Sequence, residues 1–428
     1  MKKYVVLSVL VAILISTASG CGGRNTVSHG TGKVVTLRWV SDANPVRKEH
    51  IALFEKANPG IKVELDWASA DLQKILVQIA GGNAPDLLDM HNLSRFHILA
   101  EKGALLDITP YCKKYGMDMK EFWPQTRNWV EHKGKLYAVP DNSADIVLFY
   151  NKRAFDEAGI AYPDESWTWQ DMLNAGRKLT GKDPKTGRKR FAIVWDSPDI
   201  LIWQNGGQKF SADGKKCMLN TAAAKEAIRF LYDMRFKYHI MPTRSEMAGL
   251  AAAQGWGQGG LNLFSGGSIA MYPCGRWAVI QLRKSKGLDW DIAPLPRGKN
   301  KATLFLARST AISSQCKHPE EAFKFLLFLR DKDYNRLIAH SGDAMPAYMP
   351  VARSDMFIKD PDFTGEKNNK LYLSEMAYAR NMEVFPDNPN LDIERIEKDE
   401  YDLMWDGGKS PEEMLESLTG RINKLLKR

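Results

Sequence analysis

The chain has 428 residues, with 60 Lys and Arg against 51 Asp and Glu and a formal net charge of +9. The excess is spread out, and its one real cluster, GKDPKTGRKR at 181–190, sits among Gly and Pro as a solvated turn, which argues against a nucleic-acid partner. Beyond the N-terminus no segment approaches the ~20 apolar residues of a membrane helix, and this length suits about two or three domains.

Lys2 and Lys3 precede an apolar run over 4–15, and Ala18, Ser19 and Gly20 stand directly before Cys21. A positive start, a short apolar stretch and small residues at a cleavage point make a secretory signal over residues 1–20. A cysteine at that point resembles a bacterial lipobox, although Ala18 stands where that pattern prefers Leu. The resemblance implies a lipid on Cys21 that anchors an exported protein to the outer face of the cell membrane. Residues 21–33, which include Gly22-Gly23-Arg24-Asn25-Thr26-Val27-Ser28, read as a flexible tether. The competing reading is an ordinary signal peptide with an incidental cysteine.

Residues 34–40 are a β-rich run, and Asn44-Pro45 opens a helix that carries Ile51, Phe54 and Ala57 and stops at Pro59-Gly60. Ile61, Val63, Leu65 and Trp67 then alternate with Lys62, Glu64 and Asp66, the period of a strand with one polar face. Leu72, Ile75, Leu76 and Ile79 recur at helical spacing up to Gly81-Gly82, and 86–90 reads as a third strand. Such alternation predicts a parallel α/β sheet, whose ligands sit beyond the carboxyl ends of its strands, here the loops at 41–44 and 89–92. The pattern resumes after a turn at Pro140-Asp141-Asn142, with strands at 146–151 and 191–194 and helices over 167–178 and 222–236. Pro319 opens a Phe- and Leu-rich helix, and Ser410-Pro411-Glu412-Glu413 is a capping box that starts a last amphipathic helix to Leu426.

Cys112, Cys217, Cys274 and Cys316 are far apart and form no C-x-x-C pair, so they give no zinc or redox motif and leave pairing open. No H-E-x-x-H, Walker A or metal-spaced His cluster occurs, and neither a metal nor a cofactor is expected. Residues 255–260 match G-x-G-x-x-G but do not follow a strand, so they read as a loop at a cleft mouth. Residues 266–270 miss the nucleophile elbow at the last position.

The stretch Gly134-Lys135-Leu136-Tyr137-Ala138-Val139-Pro140 is followed by Leu148-Phe149-Tyr150-Asn151-Lys152, by residues 155–160 and by Trp167-Thr168-Trp169. With Ala80-Gly81-Gly82-Asn83-Ala84-Pro85-Asp86, Phe264-Ser265-Gly266-Gly267, Gly275-Arg276-Trp277, Ala293-Pro294-Leu295-Pro296 and Met345-Pro346, this order resembles the family 1 extracellular solute-binding proteins. These are the carbohydrate receptors of ABC importers, of the maltose-binding type. The resemblance implies two α/β lobes, the type II periplasmic-binding-protein fold, around a hinge crossed more than once. Lobe 1 would hold 34–142 with 303–344, and lobe 2 would hold 143–302 with 345–428. It further implies a monomer, a carbohydrate ligand and a membrane permease as partners, and no catalytic activity.

A sugar ring has apolar C–H faces and a belt of hydroxyls, so its cleft needs aromatic plates and planar side chains that make paired hydrogen bonds. Trp277, with Gly275 and Arg276 beside it, falls on the family's aromatic cleft position, and Trp195 with Asp196 lies on a loop where relatives contact ligand. Trp203 and Trp256 are further candidates, although Trp203 shares a helix face with Ile200 and reads equally as core. For the polar side, Ser41, Asp42 and Asn44 come from the first loop, Asp89 and His91 from the third, and Asn142 and Asp145 from the hinge. Turn and cap chemistry is the plainer reading of Asp42 and Asn44. Arg276 and Arg308 suit either the neutralising of those carboxylates or an acidic ligand, which keeps glycerol phosphate or a peptide open beside a sugar. An exported glycoside hydrolase, which needs two opposed carboxylates, is the enzymatic alternative.

Overall fold

A computed structural model describes residues 34–67, 71–185, 187–250, 259–359, 368–384 and 391–427. The signal segment, Cys21, the tether and Trp256 lie outside them. Among the described residues no helix is long and apolar enough to cross a membrane.

The chain opens as β1 (Val35–Val40), α1 (Val46–Ala57), β2 (Ile61–Asp66), α2 (Leu72–Ala80) and β3 (Leu87–Met90), the alternation read from the sequence. β1 runs parallel to both neighbours, with Val40 level with Asp66 on one side and Leu88 on the other. β2 is the sheet edge, so Ile61 and Val63 go inward while Lys62 and Glu64 meet water. After α3 (Leu93–Glu101), α4 (Thr109–Lys114) and the hairpin of β4 (Glu131–His132) and β5 (Lys135–Leu136) comes β6 (Ala138–Asp145).

β6 replaces the turn expected at Pro140-Asp141-Asn142 with a strand buried along its whole length. The polar residues that suggested a turn find their partners far away in sequence. Thr310 donates to Asp141 at 2.9 Å, and Asn142 donates to Asp343 at 3.1 Å. The register slips opposite Arg308 and Ser309, and this bulge takes up Asp141 next to Pro140, which has no N–H for a regular ladder.

One residue later, β7 (Val147–Asn151) enters a second sheet. That unit contains α5 (Lys152–Ala158), α6 (Trp169–Leu179), β8 (Gly181–Lys182), β9 (Lys189–Ile193), α7 (Pro198–Gln204), α8 (Ala222–Phe236), α9 (Arg244–Leu250), α10 (Gly260–Ser265), β10 (Ile269–Cys274), α11 (Ala278–Leu282) and β11 (Trp290–Ala293). Its order is β11-β7-β10-β9-β8. β12 (Thr303–Ile312) returns to the first sheet, antiparallel to β6 and β3, and is followed by α12 (Pro319–Phe328), α13 (Lys332–Ser341) and β13 (Met345–Pro346).

β13 pairs with β6. After α14 (Met349–Ala352), α15 (Asp355–Ile358) and α16 (Asn368–Glu375), β14 (Ala379–Asn381) pairs with β12. The lobe boundary expected at 344 assigns both strands to the second lobe, whereas their pairing puts them on the first sheet. α17 (Leu391–Trp405) and α18 (Pro411–Leu426) join the second unit, where Met404, Met414 and Leu418 share a core with Trp195 and Leu231. Ser410 and Glu413 form the capping box read from the sequence. The four cysteines inside the described residues are free thiols.

Candidate functional site

The β6–β12 pair carries the first sheet up to the second, and a cavity of about 400 Å³ opens over it, with Ala144, Leu306 and Ala307 in its lining. Asp42 after β1, His91 after β3, Asn142 of β6, Arg308 of β12 and Asp343 after α13 line it from the first unit, and Trp277 after β10 lines it from the second. Five of these were selected from the sequence, and the structure brings them together around one space.

The charged groups here are joined in ion pairs. Arg308 donates to Asp89 through Nε at 3.1 Å and also binds Asp42. Arg47, which is 1% exposed, donates to Asp42 at 3.1 Å and to Asp343 at 3.1 Å. Burial alone would lower the pKa of Arg47, but the carboxylates of Asp343 and Asp42 override it and raise it. His50, against Arg47, is held well below the usual histidine range by burial and then by that guanidinium, so it adds no charge. Asp141 is pushed well above the carboxylate range by burial and then by Asp89. Two guanidiniums, Arg47 and Arg308, thus face three carboxylates, Asp42, Asp89 and Asp343.

Behind the lining stand three more of the selected residues. Ser41 donates to Asp89 at 3.0 Å, and Asn44 donates to Asp343 at 2.6 Å. Asp89, 1% exposed, orients Arg308 and lies 3.7 Å from Nδ1 of the exposed His91. These groups fix the polar wall and do not reach the cavity themselves.

Trp277 is half-buried and packs against two hydrophobic clusters, one in the second unit and one that draws residues from both units. Gly275 makes room for its ring, since an added Cβ would lie 1.9 Å from the indole. Cys274 and Arg276 are buried, and Arg276 is not a cleft cation: it donates to Asn369 at 2.9 Å, to the Ala344 carbonyl at 2.8 Å and to the Ala339 carbonyl at 2.7 Å, near the end of α13.

Four other selected residues do not line the cavity. Trp195 and Trp203 are each 2% exposed core residues, with indole N–H groups that bond the Ser197 carbonyl and Glu383. A tryptophan whose one donor has a partner buries readily, which is why position near a loop misleads. Asp196 is exposed and accepts from Tyr272 at 3.1 Å. Asp145 is fully buried, and neither of its carboxyl oxygens has a hydrogen-bond partner. Sequence reasoning missed Arg47 and Asp343. Asp343 adjoins the hinge segment at 344, but no local motif marks either residue.

Among the described residues no group of His, Cys, Asp and Glu is arranged to hold a metal ion. A larger cavity, of about 780 Å³, is lined by His97, His132, Phe210 and Glu383 and contains none of the residues selected from the sequence.

Against this geometry, the family described as bacterial extracellular solute-binding protein matches residues 41–336. An ABC substrate-binding protein from Listeria monocytogenes, solved in complex with cycloalternan, superposes with a TM-score of 0.81 at 27% identity, covering 92% of this chain and 98% of that one. The sn-glycerol-3-phosphate-binding periplasmic protein of Escherichia coli is 22% identical over 91% of this chain and 92% of its own length. A lipoprotein of Streptomyces antibioticus is 24% identical over 76% of this chain and 72% of its own.

Proposed function

Because the chain belongs to the bacterial extracellular solute-binding proteins, we propose that this ABC solute-binding protein captures a neutral sugar or oligosaccharide between its two lobes and delivers it to a membrane permease. The observation that carries the reading is the cavity shared by Trp277 and the ion-paired polar wall. The indole offers a plate for a C–H face, while Asp42, His91 and Asn142 offer acceptors and donors for hydroxyls. A phosphate or uronate would need a guanidinium that is not already paired, and Arg47 and Arg308 are both engaged with carboxylates. The cycloalternan complex of the Listeria relative agrees with a sugar, and the name of the Escherichia coli relative keeps glycerol phosphate as the second candidate.

Trp277 stands on one unit and the polar wall on the other, so a ligand that touches both favours the closed arrangement through the contacts it adds there. Nothing in this binding requires bond cleavage.

The test is a thermal melt of residues 24–428 against neutral saccharides, uronates, glycerol phosphates and peptides, with the ligand recovered afterwards. A ligand at a hundred times its Kd adds about 2.7 kcal/mol and raises Tm measurably. Stabilisation by intact neutral saccharide is expected. Stabilisation by phosphates alone would replace the sugar assignment, and cleaved sugar would mean a hydrolase.

The lipid anchor belongs to the same proposal, supported by the residues before Cys21 and by the Streptomyces lipoprotein. Cys21→Ala is expected to abolish labelling by palmitate and to release the protein from the membrane fraction. Labelling that persists in the variant would remove Cys21 as the acceptor.

A further inference from the structure

The two units exchange the chain at the end of β6, at the start of β12 and after β14. Thr303 ties these places together. Its Oγ1 donates to the Ile146 carbonyl, between β6 and β7, at 2.6 Å, and its N–H donates to the Tyr378 carbonyl, just ahead of β14, at 3.1 Å. Asp145, the last residue of β6, lies against this point, level with Phe305 of β12. Its neighbour Ala144 lines the ligand cavity, so strand alternation sends the Asp145 side chain to the other face. There it is fully buried, and neither carboxyl oxygen has a partner. α16 packs against β6 and brings Glu375, 6% exposed, and Tyr372, whose buried hydroxyl is also unpartnered, towards it.

A buried carboxylate without a partner is strongly disfavoured, so this arrangement of the units requires a proton on Asp145. The charged groups around it do not relieve that requirement. Glu375 and, beyond it, Glu165 add negative charge. Arg276 and Arg283 act on Tyr372 from the second unit, and Arg276 is taken up by Asn369 and the carbonyls of Ala339 and Ala344. Lys301, just before the start of β12, acts on Glu375 and holds its Nζ 5.3 Å from the centre of the Tyr378 ring. We propose that Asp145, with Glu375 beside it, is a proton-controlled latch on the hinge: protonated, it holds the units as they stand here, and ionised, it turns them about Thr303 until the carboxylate meets water or Lys301. A residue that never touches the ligand then sets the balance of lobe arrangements, and a ligand that needs one arrangement binds with an affinity that follows pH. This holds whichever solute fills the cavity.

The test is small-angle X-ray scattering of ligand-free residues 24–428 as wild type, Asp145→Asn and Glu375→Gln, from about pH 5 to about pH 8.5, with near-UV circular dichroism on the same samples. The wild-type radius of gyration is expected to move between two values with the slope of a single proton while the near-UV spectrum stays that of the folded protein. Asp145→Asn is expected to keep the low-pH radius throughout. Glu375→Gln is expected to make the same transition at lower pH, because it lacks the neighbouring negative charge that disfavours ionisation of Asp145. A wild-type radius independent of pH, or the same change in Asp145→Asn, would overturn the latch. So would a near-UV signal lost together with the change in radius, which would mean unfolding in place of turning, or a transition left unshifted in Glu375→Gln, which would assign the proton to another group.

Discussion

The indole of Trp277 lies across Gly275 so closely that a Cβ on the glycine would stand 1.9 Å from Cζ3. Gly275→Ala therefore has to move the plate without removing it. Both Gly275→Ala and Trp277→Ala are expected to weaken ligand tenfold or more, about 1.4 kcal/mol. Trp277→Ala should also lower the stability of the free protein by about 1–3 kcal/mol, since the half-buried ring packs on two hydrophobic clusters. Titration calorimetry with urea melts of the free proteins separates these effects. Wild-type affinity in Gly275→Ala would show that the ring position is irrelevant to binding.

Arg276 holds carbonyls at the end of α13 and does not line the cavity. Arg276→Met leaves the Ala339 and Ala344 carbonyls without this donor, and unsatisfied buried groups cost about 1–3 kcal/mol each. A clear fall in Tm is expected, with an unchanged ratio of affinities for neutral and acidic saccharides. Selective loss of the acidic ones would return Arg276 to the binding surface.

Asp343 gathers Asn44, Asn142 and Arg47 in one place. Asp343→Ala leaves the buried Arg47 with Asp42 as its remaining carboxylate partner, and breaking a buried pair from one side costs about 3–5 kcal/mol. Asp343→Asn keeps an acceptor for Asn44 and should lose less. Denaturant midpoints check the order, and equal midpoints for the two variants would mean that the charge on Asp343 contributes nothing.

The contrast between β2 and β6 shows what the sequence was able to reveal. β2 lies at an edge, and its solvent face forces Lys62 and Glu64 to alternate with Ile61 and Val63 inside a local window. β6 lies between β12 and β13, so its Asp and Asn side chains answer to Thr310 and Asp343, which are far away in the chain. The candidate site divides the same way. Asp42, His91 and Asn142 follow from strand ends and the hinge, whereas Arg47 and Asp343 are set by contacts between remote segments. Trp195 and Trp203 show the converse error, because aromatic content near a loop does not tell a plate from a core residue.

The buried carboxyl of Asp145, where β6 gives way to β7, makes the sharpest pH prediction. Burial, and then the nearby Glu375, push it well above the ordinary carboxylate range, and neither oxygen has a hydrogen-bond partner. The folded protein thus keeps a proton here that the unfolded chain gives up near pH 4. A carboxyl with a raised folded pKa contributes its full stability below the unfolded pKa and loses it as pH rises toward the folded value, by up to ~1.4 kcal/mol per pH unit. Asp145→Asn removes that term and leaves an uncharged side chain of the same shape. Relative to wild type, the variant is expected to gain stability in urea melts as pH rises from about 4.5 toward the folded pKa of Asp145. Asp141, buried beside Asp89 and held by Thr310, supplies a similar slope to both proteins and cancels in the difference. Parallel stability curves for the two proteins across that range would mean that Asp145 is ionised in the folded state and that a partner for it forms in solution.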